Sequence, residues 1–92
     1  MAEITVARVD AEPPVFRFHV TVREGGSATE HAVSLSADDL ARLGHGHEPE
    51  DFVRACFEFL LEREPKESIL PSFDVSAIGR YFPEFEQVIR TR

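Results

Sequence analysis

The residues in this chain best suited to chemistry lie around position 45. His45-Gly46-His47 sets two imidazoles two positions apart in a glycine loop, and Glu48, Glu50 and Asp51 follow closely. Such a set could hold Zn²⁺, which accepts imidazole and carboxylate donors in a tetrahedral array. Structural zinc sites usually include thiolates, however, and the one cysteine, Cys56, falls inside an apolar run instead of near the loop. His45 and His47 are therefore weak metal candidates, and solvated loop histidines are the plainer reading. Cys56 lacks the cationic, open surroundings that make a thiol reactive and reads as a small buried hydrophobe. The carboxylate pairs Asp38-Asp39 and Glu58/Glu62 sit where helix starts and exposed helix faces account for them. No nucleophile elbow, phosphate loop or dinucleotide fingerprint occurs. A chain of 92 residues also leaves little room for an enclosed pocket of roughly 300–1,000 Å³. These residues point to no catalysis and to no cofactor.

The elements that would position any site are easier to read. Residues 52–62, Phe-Val-Arg-Ala-Cys-Phe-Glu-Phe-Leu-Leu-Glu, are the most apolar run, and their spacing predicts a helix buried around more than half its circumference. Pro49 suits the first position of that helix, Glu50 and Asp51 suit its positive end, and Pro65 stops it near Arg63 or Glu64. Arg54 and Glu58 are spaced to pair across one turn. Ahead of it, Phe16–Arg23 alternates apolar and polar residues, as does Thr29–Leu35, with Gly25-Gly26 between them. A two-residue glycine turn pairs Glu24 with Ser27 and, zipping outward, Val20 with His31, Phe18 with Val33 and Phe16 with Leu35. His19 then lies on the outer face and His31 at the edge of the inner one. Ile4–Val9 is a further strand candidate, separated from the hairpin by Pro13-Pro14.

After the hairpin, Ser36 with Asp39 forms a capping box for a short helix ending near Leu43, where the glycine loop breaks it. Residues 66–71 read as a connector. Asp74 caps a third helix, with Val75, Ile78, Tyr81 and Phe82 on one face, and Pro83 stops it and opens a last short helix. The fold class is thus α+β: a two- or three-stranded antiparallel sheet followed by three or four helices packed on one face, in one domain over residues 1–92. Strand 29–35, as a sheet edge, could pair across a two-fold axis.

Bulk composition narrows the partners. The net charge is −7, and the acidic surplus is concentrated on residues 37–64, which disfavours nucleic acid and anionic lipid. Met1-Ala2-Glu3 lacks a signal peptide's basic and apolar regions, and no run approaches the ~18–20 apolar residues of a membrane span, so the expectation is a cytoplasmic chain. Tyr81, Phe82, Phe85, Val88 and Ile89 are more apolar groups than one short helix needs. They either cap the core or form a contact surface for another protein.

Two family resemblances attach to these segments. The order strand, short helix, turn, longer helix over His31–Arg63 resembles the ribbon-helix-helix fold of bacterial repressors and antitoxins, which would imply a DNA-binding dimer. Here the outward strand positions are Ala32 and Ser34, and the second helix opens on Glu48-Pro49-Glu50-Asp51, which repels phosphate. The second resemblance rests on residues 50–55, 57–70, Phe73-Asp74 and Tyr81-Phe82-Pro83-Glu84-Phe85. Together they are similar to a family of small uncharacterised bacterial proteins, which implies a bacterial source and no particular activity. The expectation that follows is a protein-interaction domain, with DNA binding as the alternative.

Overall fold

The computed structural model describes residues 2–10, 12–44 and 46–92, with Asp10 described by its backbone alone. The protein is α+β. Three long strands, β1 (Glu3–Asp10), β2 (Val15–Glu24) and β3 (Ser27–Ser36), are followed by α1 (Ala37–Leu43) and α2 (Pro49–Leu61). A 3-10 turn at Lys66–Ser68 leads to a short strand, β4 (Ser72–Asp74). A second 3-10 turn at Val75–Ala77 then leads to α3 (Ile78–Tyr81) and α4 (Phe85–Ile89).

Turn chemistry fixes the hairpin. Gly25 and Gly26 adopt φ of 64° and 81°, the left-handed pair of a type I′ turn, whose twist matches that of the flanking strands. Glu24 pairs with Ser27, Val20 with His31, Phe18 with Val33 and Phe16 with Leu35, the register that the alternation requires. The sheet is larger than the two or three antiparallel strands expected. β1 pairs antiparallel with β2, and β4 pairs parallel with β3, giving the order β1-β2-β3-β4. β4 escapes pattern reading because three residues with one apolar side chain carry no period. It also covers part of the edge assigned to β3: Ala32, Val33 and Ser34 face Ser72, Phe73 and Asp74.

One face of the sheet carries Ile4, Val6, Phe18, Val20, Val22, Val33 and Leu35. It merges into one apolar cluster with Phe52, Val53, Cys56, Phe57, Phe59 and Leu60 of α2, and with Val75, Ile78, Phe85 and Ile89 of the tail. The other face, with His19, Arg23, Glu30 and Ala32, is exposed, and His19 meets Glu30 there at 2.7 Å. α2 lies against β1 and is tied to it by a bidentate pair, Arg8 to Glu50 at 2.8 Å and 2.5 Å. The Arg8 hydrogen bond holds the Glu50 carboxyl below the usual carboxylate range, against the opposing pull of burial.

Several local expectations are met and others corrected. Ser36 caps α1, accepting from the Asp39 amide at 3.0 Å. Arg54 turns to Asp51 at 3.4 Å and to the Ile4 carbonyl at 3.5 Å, not to Glu58. α2 ends at Leu61, short of Arg63: the Arg63 amide donates to the Leu60 carbonyl at 3.0 Å, a tighter i→i−3 bond, and the Arg63 side chain takes the Phe59 carbonyl at 3.1 Å. α4 begins at Phe85, two residues beyond Pro83. Gly44 ends α1 for a reason of space, not of conformation. Its φ is −102°, open to any residue, but a Cβ there would stand 2.7 Å from Leu40 Cδ1 and 2.8 Å from Phe52 Cδ1. Gly44→Ala is therefore expected to destabilise the fold by about 1–3 kcal/mol through overpacking. Gly79→Ala, with no atom within 4 Å of its Cβ, should gain about 0.5–1 kcal/mol from helix propensity. Urea unfolding of the two variants checks the contrast.

Candidate functional site

The histidine loop does not form the site. His45 lies outside the described residues. The His47 ring donates from Nε2 to the main-chain oxygen of Arg92 at 2.7 Å, since that oxygen can only accept. Its role here is to tie the loop after α1 to the end of the chain. Among the described residues no three His, Cys, Asp or Glu side chains gather in a way that could hold a metal ion. Cys56 is 1% exposed, and burial pushes its thiol well above the ordinary range, so it packs as a hydrophobe. Among the described residues no helix is long and apolar enough to cross a membrane.

The five tail residues expected at a contact surface separate into two groups. Phe85 and Ile89 are 1% and 2% exposed and belong to the core, so they are not a surface of this chain. The reason is covalent spacing. With α4 starting at Phe85, residues 85 and 89 stand one turn apart on the inward side, where Phe85 meets the Phe59 ring at 5.1 Å, edge to face. Val88 and Phe82 are half-buried against the same cluster, and Phe82 stands edge-on to Phe59 at 5.9 Å. Tyr81 leaves the face on which spacing had placed it and is 67% exposed.

Charges clamp the tail in this position. Arg42 of α1 donates to Glu86 at 2.8 Å, and Arg63 at the end of α2 donates to Glu84 at 2.9 Å. These hydrogen bonds hold both carboxyls below the usual range. The Arg63 guanidinium also lies 3.6 Å over the Phe59 ring.

What remains exposed forms a site. The end of α2, the connector, β4 and α3 enclose a groove of about 330 Å³, floored by Leu60, Ile69 and Ile78 and walled by Phe73 and Phe82. Tyr81 and Leu70 also line it, and they are two of the three large apolar side chains that stand exposed among the described residues. The third, Val9, lies on β1. Glu64 is the one charged residue of the lining.

The connector that forms one wall is pinned by His31. Its Nδ1 donates to the Leu70 carbonyl at 2.7 Å, which leaves Nε2 to accept from the Thr29 hydroxyl at 2.8 Å. The ring packs on Phe57 at 5.4 Å. The Ala32 amide donates to the Pro71 carbonyl at 2.8 Å, one residue further on. Asp74 then accepts from the Ser34 hydroxyl at 2.6 Å and caps the following turn through the Ser76 amide.

Of the residues singled out from sequence, this groove gathers Tyr81 and Phe82. It adds Leu60, Glu64, Ile69, Leu70, Phe73 and Ile78. The signal available for the connector was the adjacent apolar pair Ile69-Leu70 before Pro71: with Ile69 buried, backbone alternation turns Leu70 outward. Against this geometry, no family model, no curated protein and no solved structure matches the chain.

Proposed function

We propose that this chain is a protein-interaction domain and that its contact surface is the apolar groove beneath Tyr81 and Leu70. The observation that carries the reading is the pairing of two exposed large apolar side chains, 67% and 45% accessible, with a concave apolar floor between them. Isolated exposed apolar residues are ordinary, but a cluster around a concavity is the usual form of a binding anchor site. A tyrosine suits such a rim, since it offers large contact area for little conformational entropy. The acidic surplus, net −7, favours protein over nucleic acid as the partner. The role is one of binding and requires no cofactor.

Selection from a displayed library of random twelve-residue peptides tests this. Peptides enriched on the wild-type protein should fail to bind the double variant Tyr81→Ser/Leu70→Ser and should still bind Val9→Ser. Both variants should keep their stability within about 0.5 kcal/mol, as surface changes do. Enriched peptides that bind the double variant as well as the wild type would end the assignment, as would selection yielding nothing above background.

A further inference from the structure

Glu64 gives the groove a chemical preference. It is half-buried at the end of α2, on the wall of a site whose other lining is almost wholly apolar. The neighbouring cations are committed elsewhere. Arg63 donates to Glu84 and lies over the Phe59 ring, and Lys66 donates to Glu67. Among the described residues no hydrogen bond or ion pair reaches the Glu64 side chain, whereas seven other glutamates, Glu3, Glu30, Glu50, Glu62, Glu67, Glu84 and Glu86, take part in ion pairs, and Glu64 is the one glutamate that lines the groove. A carboxylate on the wall of an apolar groove without a counter-ion is free to pair with a cation that a partner supplies, and such a charge-assisted hydrogen bond is among the stronger ones.

We propose that the groove takes a short segment of a partner protein bearing a bulky apolar side chain with Lys or Arg close by in sequence, the cation pairing with Glu64. This rests on the groove being the contact surface. The apolar side chain fills the space over Leu60, Ile69 and Ile78, flanked by Tyr81 and Leu70. The basic group reaches the wall of the same groove at Glu64. The charge of the whole chain acts in the same direction, speeding encounter with basic segments.

Three labelled nonapeptides with the same central Leu and Phe, flanked by Arg, Gln or Glu residues, test the preference by fluorescence polarisation at 0.15 M salt. The basic peptide should bind about ten- to a hundredfold more tightly than the neutral one, the range expected of a charge-assisted hydrogen bond. The acidic peptide should bind least. Glu64→Gln should reduce the basic-over-neutral ratio to within about threefold, and Glu64→Lys should reverse the order of basic and acidic peptides. Glu24→Gln, at an exposed glutamate beside the hairpin turn and outside the groove lining, should leave the ratio as it is, which separates a local pairing from the general field. Equal affinities for the three peptides on the wild-type protein, all lost in Tyr81→Ser/Leu70→Ser, would overturn the charge preference and leave the groove standing. A ratio unchanged by Glu64→Gln would also overturn it, and so would the absence of measurable binding by the basic peptide.

Discussion

Phe59→Ala should remove about 3–5 kcal/mol of stability, a large fraction of the roughly 5–14 kcal/mol expected for a chain of this size. The side chain is fully buried, and three groups are built around it. Phe82 and Phe85 meet its edges and face at 5.9 Å and 5.1 Å, and the Arg63 guanidinium covers it at 3.6 Å. Truncation loses the transfer energy of the ring and leaves a cavity that these neighbours cannot close, since Phe85 is fixed in α4, Phe82 by its main-chain hydrogen bonds to Ile78 and Phe85, and Arg63 by Glu84. Aromatic pairs of this geometry add about 0.5–1.5 kcal/mol each beyond area burial. Phe59→Leu keeps most of the volume and should cost about 1.5 kcal/mol or less. Urea unfolding of both variants measures the difference. A loss below about 1.5 kcal/mol for the alanine variant would mean that the tail does not depend on Phe59 for its seat.

The same residue shows where sequence reading succeeds and where it stops. The period of residues 52–62 requires a helix buried on most sides, and Phe59 needs cover that the sheet cannot supply, because the sheet lies against the opposite side of α2. The tail had to provide it. That Phe85 and Ile89 do so while Tyr81 does not depends on a phase. At about 100° per residue, Tyr81 stands about 120° from Val75, off the face that Val75, Ile78 and Phe82 share, and α3 ends at Tyr81 itself. Successive i, i+3 steps link Tyr81 to Val75 and Ile78, but each such step drifts about 60° around the helix. β4 is invisible for a related reason. Its three residues are held by β3 and by the contacts of Asp74 with Ser34 and Ser76, and such tertiary partners leave no local trace. The hairpin, by contrast, was fully legible: two glycines determine the turn, the turn determines the register, and the register alone sorts His19 from His31. The groove was half legible, since Tyr81 and Phe82 stood out as apolar groups in excess. Leu70 and Glu64 acquire meaning only once the connector is laid against α2.

His31→Leu should cost about 2–3 kcal/mol and should loosen the groove in the same step. The imidazole is 2% exposed and bridges two chain segments 39 residues apart by its hydrogen bond to Leu70. Leucine fills most of the volume but makes neither hydrogen bond. The Leu70 carbonyl then loses its donor at about 1–3 kcal/mol, while the half-buried Thr29 hydroxyl can turn to water at smaller cost. The tilted contact with Phe57 adds to the loss. Because β4 has only three ladder partners on β3, the connector and β4 depend on this bridge more than the long strands do. The expected signature is uneven: hydrogen exchange should accelerate at residues 69–74 and stay unchanged in β2, and the affinity of groove-binding peptides should fall although His31 does not line the groove. Thr29→Val should produce a smaller loss, and the double variant should fall short of the sum, since both residues belong to one network. Exchange that accelerates equally in all strands would show that His31 supports the core in general and does not hold the wall of the site in particular.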